Sequence, residues 1–113
     1  MTICKFGAVL LVPFPFTDQT TTKKRPTVVI SSHQYNQEKP DLIVMAVTSQ
    51  IKQPLQFGEM LVTEWSAAGL LKPSVIKPII TTIEKNLVLK NLGQLQPKDL
   101  RELQHLLQLI VGT

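Results

Sequence analysis

The chain has 113 residues, of which 43% are hydrophobic and 18% are charged, proportions that indicate one globular domain over residues 1–113 and exclude a disordered chain. The net charge of +4 permits an anionic partner but does not require one. Cys4 is the single cysteine, which excludes an intrachain disulfide and a cysteine metal cage and favours a reducing cytoplasm.

The first apolar run, residues 7–16, is too short and too interrupted to be a targeting segment. Pro13 and Pro15 break it, and no small-residue cleavage site follows, so we expect no signal peptide. No stretch approaches the roughly 20 apolar residues that span a bilayer. We therefore expect a soluble, cytoplasmic protein.

A basic turn between two predicted strands is the most informative stretch. Residues 9–12 and 27–30 are aliphatic and predict buried strands, and the polar segment between them predicts a solvated, mobile loop. That loop ends in the turn Lys23-Lys24-Arg25-Pro26. Pro26 pushes the preceding residue toward an extended conformation, so the Arg25 guanidinium should leave the loop where the next strand begins. A planar cation held in this way suits phosphate, because its fork donates two parallel hydrogen bonds.

The middle of the chain predicts a central strand between loops. Residues 31–41 contain many turn formers and predict a loop. Residues 42–47 are the most hydrophobic run and predict a central strand with both faces covered. A second loop is expected at 51–56, a weakly signalled strand at 57–63, and one helical turn at 65–71 that ends at Gly69.

The C-terminal third predicts two extended segments and a helix. Residues 75–83 read as a strand that Pro78 interrupts, which belongs at an edge or a bulge, and residues 88–95 predict a final strand. Pro97 can open a helix at its first position. Its apolar stripe would comprise Leu100, Leu103, Leu107 and Ile110, widened by Leu106 and Leu109. Several short strands and one terminal helix predict a small, partly open β-barrel with a helix packed on it.

Three blocks of sequence, in this order and spacing, resemble the MazF/PemK family of ribonuclease toxins, particularly its PemK-like branch. The first is Val-Pro-Phe-Pro-Phe-Thr at residues 12–17, followed by a polar loop and Lys-Arg-Pro. The second is the run 42–47 leading into Thr48-Ser49-Gln50, and the third spans residues 64–77. The resemblance covers about residues 7–112. It implies an SH3-like, partly open barrel of the MazF/PemK/CcdB type with a C-terminal helix.

The resemblance assigns Arg25 and Thr48 to the catalytic pair. RNA cleavage without a metal uses the ribose 2′-hydroxyl as nucleophile and needs stabilisation of the charge that develops on the phosphorus. A guanidinium can stabilise that charge, and a hydroxyl can donate to a non-bridging oxygen. The structural alternatives are a solvated surface arginine and a threonine that caps a turn through its hydroxyl.

Eight further residues are candidates for RNA binding. The lysines could hold phosphates or be merely solubilising, Phe16 could stack on a base or be buried, and the polar residues could read base edges or finish a turn. These candidates are Phe16, Thr17, Lys23, Lys24, Ser49, Gln50, Lys52 and Lys77. Trp65 is expected to be a core anchor, and His33 and His105 to be non-catalytic. No acidic cluster predicts a metal site, and no cofactor is implied.

The resemblance implies a toxin of a type II toxin–antitoxin system. Such a protein is a ribosome-independent endoribonuclease that cuts single-stranded mRNA at a short sequence and leaves a 2′,3′-cyclic phosphate and a 5′-hydroxyl. It also implies a homodimer, and a MazE/PemI-like antitoxin whose segment occupies the RNA groove.

Two alternatives from other functional classes remain open. The same fold serves a toxin that binds DNA gyrase without nuclease activity, a branch characterised by a tryptophan near the C-terminus. Here Trp65 is the only tryptophan, which argues for the nuclease. The other alternative is a non-catalytic barrel that binds RNA or protein, and RNA binding without cleavage would identify it.

Overall fold

The computed structural model of the chain describes residues 4–15 and 22–112. Most of the predicted polar loop between the first two strands lies outside these ranges. The described elements are β1 Ala8–Pro15, β2 Thr22–Val29, α1 His33–Glu38, β3 Asp41–Thr48, β4 Met60–Leu61, β5 Val75–Glu84, a 3₁₀ turn Lys85–Leu87, β6 Lys90–Gln94 and α2 Pro97–Ile110. No helix in the described part of the chain is long and apolar enough to cross a membrane.

One curled sheet of six antiparallel strands forms the domain, in the order β4-β5-β3-β2-β1-β6. Strand alternation gives each face of the sheet its own apolar cluster. Val9, Val28 and Met45 belong to the cluster that Leu103 and Leu106 of α2 cover. The other face carries a second cluster, which includes Leu10, Val12, Leu42 and Val44. The predicted partly open barrel with a packed terminal helix is confirmed.

The central strand was predicted correctly. Strand β3 lies between β2 and β5, and residues 44–47 are all buried. Pro78 lies in β5 opposite a register shift between Met45 and Val47 of β3, so it occupies a bulge as expected.

The basic segment 23–26 was predicted wrongly as a turn, because it lies inside β2. Strand β1 continues to Pro15 and pairs along the whole segment, with Val12 opposite Arg25 and Pro13 opposite Lys24. The pairing of β1 with β2 in a long hairpin outweighs the local preference of these residues for a turn.

The loop predicted at 31–41 instead contains helix α1. Ser32 caps its N-terminus, since the hydroxyl accepts a hydrogen bond from the Tyr35 N–H at 3.1 Å. The buried Asn36 side chain donates to the carbonyl of Cys4 at 2.9 Å, which fastens the helix to the start of the chain. A buried tertiary partner thus stabilises a helix of six residues whose sequence is rich in turn formers.

The helical turn predicted at 65–71 is present as a single turn that Gly69 ends. The Ala68 N–H donates to the Glu64 carbonyl, and the Leu70 N–H reaches back to Trp65 in a Schellman arrangement. Gly69 has φ of 93°, and a Cβ there would lie 1.9 Å from the Leu92 carbonyl oxygen. The backbone of the turn is therefore in direct contact with the backbone of β6. Trp65 packs against the core cluster, as predicted.

Two predictions in the second half of the chain need correction. The strand predicted at 57–63 is reduced to Met60–Leu61. In α2, Leu103 and Leu106 are buried as the stripe predicts, but Leu109 is exposed because the helix covers the sheet over a narrower face. The helix begins at Pro97 as expected.

Candidate nucleic-acid interface

A pocket of about 670 Å³ opens where β2 and β3 separate. The last pair of the β2–β3 ladder is Thr27 with Ala46, and residues 23–26 and 47–50 beyond it line the pocket. The two strands therefore form its opposing walls.

Pro26 explains why the ladder stops there. The Ile30 N–H donates to the Ile43 carbonyl at 2.9 Å, so Ile30 directs its backbone toward β3. Alternate residues of a strand direct their backbone to the same side, which means that Val28 and Pro26 also face β3. Proline has no N–H to donate, so hydrogen bonding to β3 cannot continue past this position.

Arg25 and Thr48 both line this pocket. If the β2–β3 register is continued two residues beyond Thr27, it sets Arg25 across from Thr48. Arg25 is half-buried and engaged in an interaction of its own. The Thr48 hydroxyl accepts a hydrogen bond from the Gln50 N–H at 3.1 Å, so the predicted turn-capping role is real. The same hydroxyl keeps its proton for donation.

The lining is cationic around an apolar floor. Apolar side chains come from Leu11, Val47, Leu70 and Leu92. No aspartate or glutamate is among the described residues that line the pocket, whereas its cations are Lys23, Lys24, Arg25, Lys72 and Lys90. Such a lining suits a ligand with anionic groups and apolar flat surfaces, as single-stranded nucleic acid has.

Four of the eight predicted RNA-binding residues join the catalytic candidates here: Lys23, Lys24, Ser49 and Gln50. Lys52 and Lys77 are not among the described lining residues. The Lys77 ammonium lies 3.3 Å from a carboxylate oxygen of Glu59. Phe16 and Thr17 lie outside the described residues, so their roles stay predictions.

Sequence reasoning missed Lys72 and Lys90 as members of this pocket. Lys72 follows the turn that ends at Gly69, and Lys90 is the first residue of β6. The signal that would have found them is the approach of Gly69 to β6, which depends on packing between segments far apart in sequence.

The described residues contain no group of three or more histidines, cysteines or acids that could hold a metal ion. His33 and His105 are both exposed, on α1 and α2 respectively, and neither lines the pocket. Burial raises the pKa of the Cys4 thiol, which disfavours the nucleophilic thiolate.

A family profile described as PemK-like, MazF-like toxin of type II toxin-antitoxin system matches residues 5–111. No curated protein matches the chain in a direct comparison. Among solved structures, MazF (Form-I) from Deinococcus radiodurans is 18% identical with a TM-score of 0.77, over 100% of both chains. An endoribonuclease from Mycobacterial species is 17% identical with a TM-score of 0.74, over 95% of this chain and 89% of that one.

A third solved structure, an endoribonuclease in complex with its cognate antitoxin from Mycobacterial species, is 17% identical. Its TM-score is 0.71, over 95% of this chain and 91% of that one. At these identities the three likenesses show a shared fold.

Proposed function

The chain belongs to the PemK-like, MazF-like family of toxins of type II toxin–antitoxin systems, and from that premise we propose that it is a sequence-specific, ribosome-independent endoribonuclease that cuts single-stranded mRNA without a metal. The observation that carries the proposal is that Arg25 and Thr48, from neighbouring strands, line one cationic pocket. Arg25 lies within β2 and Thr48 ends β3, so backbone pairing limits the movement of both residues.

In the proposed reaction, the ribose 2′-hydroxyl loses its proton and attacks the adjacent phosphorus, while the bond to the 5′-oxygen of the next nucleotide breaks and that oxygen gains a proton. The products are a 2′,3′-cyclic phosphate and a 5′-hydroxyl. The negative charge that develops on the non-bridging oxygens needs donors that are already in place.

Arg25 and Thr48 are suited to supply those donors. An arginine stays protonated at neutral pH, and its planar fork can hold two phosphate oxygens. The Thr48 oxygen already accepts from the Gln50 N–H, so its own O–H is left to donate to the phosphate. We therefore assign Arg25 to stabilisation of charge and Thr48 to a hydrogen bond with a non-bridging oxygen.

The proposal includes a protein partner and self-association. Related folds occur in MazE–MazF complexes from Deinococcus radiodurans and in the complex of a Mycobacterial endoribonuclease with its cognate antitoxin. We propose that this chain forms a homodimer and that a MazE/PemI-like antitoxin inhibits it. A flexible acidic segment would compete with RNA for the cationic pocket, because it presents the same charge.

The test is cleavage of a long single-stranded RNA in EDTA by wild type, Arg25→Ala, Arg25→Lys and Arg101→Ala. Arg101 is exposed on α2 and outside the pocket, which makes it the matched control. We expect discrete fragments from wild type and the control, and at least about a 100-fold loss with Arg25→Ala. Arg25→Lys should recover part of the rate, since it keeps the charge and loses the fork.

The fragment ends provide a second readout. A polynucleotide kinase should label the new 5′ ends without prior phosphatase treatment, because they carry hydroxyls. Arg25→Ala cutting at the wild-type rate would refute the assigned mechanism. Intact RNA with wild type would refute the nuclease and favour gyrase binding or a non-catalytic barrel.

A further inference from the structure

The pocket has a second cationic wall, on the far side of β1 from the gap that Arg25 borders. Lys90 and Lys72 form this wall, and both are exposed. Among the residues that the structure describes, neither ammonium is paired with a carboxylate. Two cations that line one pocket without a protein counter-charge repel each other, and an anion bound between them would relieve that repulsion.

The register of three strands fixes the position of Lys90. Leu11 of β1 pairs with Lys90 of β6 on one side and with Pro26 of β2 on the other. Residues paired across a sheet share a face, and two strand spacings separate Lys90 from Pro26 by roughly 10 Å. Arg25 precedes Pro26 in β2, so the same pocket spans the two strand spacings between Arg25 and Lys90.

Lys72 reaches the same wall from a separately anchored segment. Gly69 rests against the Leu92 carbonyl, two residues along β6 from Lys90. The buried Ser74 hydroxyl donates to the Lys72 carbonyl at 2.8 Å and fixes its backbone. The contact of Gly69 with β6 thus brings the segment that carries Lys72 to the strand that carries Lys90, and both lysines line the pocket.

We propose that Lys72 and Lys90 form a second phosphate site, which binds a phosphate of the RNA that flanks the one Arg25 contacts. The proposal deepens the endoribonuclease function and rests on it for the identity of the ligand. Because Lys90 lies two strand spacings from β2, which carries Arg25, this site contributes to RNA affinity and not to the chemical step.

The consequence is a specific pattern of salt dependence. A contact that neutralises one phosphate of a single strand changes the slope of log affinity against log salt concentration by about 0.7. Loss of the site should therefore reduce the slope by about that amount and weaken binding about tenfold at low salt. The cleavage rate at saturating RNA should not change, whereas KM should rise.

The experiment compares wild type with Lys72→Gln/Lys90→Gln, with Lys72→Arg/Lys90→Arg, and with the control Lys39→Gln. Lys39 is exposed and precedes β3, whereas Thr48 ends it, so the control lies roughly 25 Å from the pocket. Binding is measured by fluorescence anisotropy at several salt concentrations. The probe is a 2′-O-methylated 20-nucleotide single strand of mixed sequence, which lacks the nucleophile and cannot be cut.

We expect the glutamine pair to bind more weakly with a shallower slope, and the arginine pair and the control to bind like wild type. A wild-type slope in the glutamine pair would overturn the second phosphate site. Cleavage of the unmodified strand is followed in parallel. Absence of cleavage by wild type would refute the proposed nuclease, while the slopes would still decide whether the two lysines bind phosphate.

Discussion

Asp99 links helix α2 to the turn at residues 63–69, and its replacement tests how much this link contributes to stability. It lies in the first turn of α2 and is fully buried. Its two carboxylate oxygens accept hydrogen bonds from the N–H groups of Thr63 at 3.0 Å and Glu64 at 2.9 Å. These bonds join the helix to the turn that leads to the pocket wall at Leu70.

The expected loss of stability follows from the two N–H donors that a replacement of Asp99 would leave without an acceptor. The two N–H groups are part-buried, and each costs up to roughly 1–3 kcal/mol when it loses its acceptor. A negative charge in the first turn of a helix contributes roughly 0.3–1 kcal/mol. Water can reach part of the opened space, so we expect Asp99→Ala to lower the free energy of unfolding by about 2–4 kcal/mol. Asp99→Asn keeps one acceptor and should cost about 1–3 kcal/mol.

The assay is equilibrium unfolding in urea at one protein concentration, with Glu102→Gln as the control because Glu102 is exposed on the same helix. Relative to wild type, Asp99→Asn should accelerate amide hydrogen exchange at Gly69 and Leu70 more than it accelerates exchange in β3, since the turn loses its link to α2. If both Asp99 variants unfold within about 0.5 kcal/mol of the control, the carboxylate does not hold the turn and the reasoning fails.

Two other replacements test the pH response and the origin of the pocket. The Glu59 carboxylate accepts a hydrogen bond from the Gln56 N–H and lies beside Lys77, and these contacts hold its pKa below the ordinary 4.5. Ionised Glu59 therefore stabilises the folded protein fully above that pH, and this contribution is lost as the pH falls. Urea unfolding between about pH 6 and 3 should show wild type losing its advantage over Glu59→Gln, and parallel curves would contradict this. Pro26→Val should leave the free energy of unfolding within about 1 kcal/mol, since the regained ladder bond offsets the lost rigidity. The same variant should cut RNA more slowly, because the β2–β3 ladder can then extend into the pocket; an undiminished rate would contradict the role given to Pro26.

The elements with a long, regular pattern were predictable from the sequence. Helix α2 carries its apolar residues at helical spacing over 14 residues, and its start at Pro97 follows from the fixed backbone angle of proline. Strand β3 is apolar over most of its length because both of its faces are covered. In these elements the local pattern and the tertiary structure agree, so the sequence alone was sufficient.

The errors fall where a tertiary contact overrides local chemistry. Residues 23–26 are basic and contain a proline, yet they lie in a strand because β1 pairs with them. Helix α1 is short and rich in turn formers, yet it forms because Asn36 is buried against the start of the chain. Neither contact can be read from a local window, since each joins segments that the fold alone brings together.

The residues of the candidate site also fall into those that the sequence could predict and those that it could not. Arg25 and Thr48 were predicted through the resemblance, and both line the pocket, where the continued β2–β3 register would set them across from each other. Lys72 and Lys90 were missed because the fold brings them together only through the backbone approach of Gly69 to β6. A scattered lysine has no periodicity and no fixed neighbour, so its function depends on packing that the sequence does not display.

The position of Pro26 suggests why the pocket and the proposed catalytic pair occur together. A continuous β2–β3 ladder would place Arg25 and Thr48 about 5 Å apart at the backbone, too close to admit a phosphate between their side chains. Pro26 removes the N–H that the next ladder bond would require, and it also restricts the backbone of Arg25. One residue therefore ends the β2–β3 ladder and restricts the backbone of the cation that lines the pocket. The same register that brings the two residues opposite each other is interrupted at the point where a substrate needs the space.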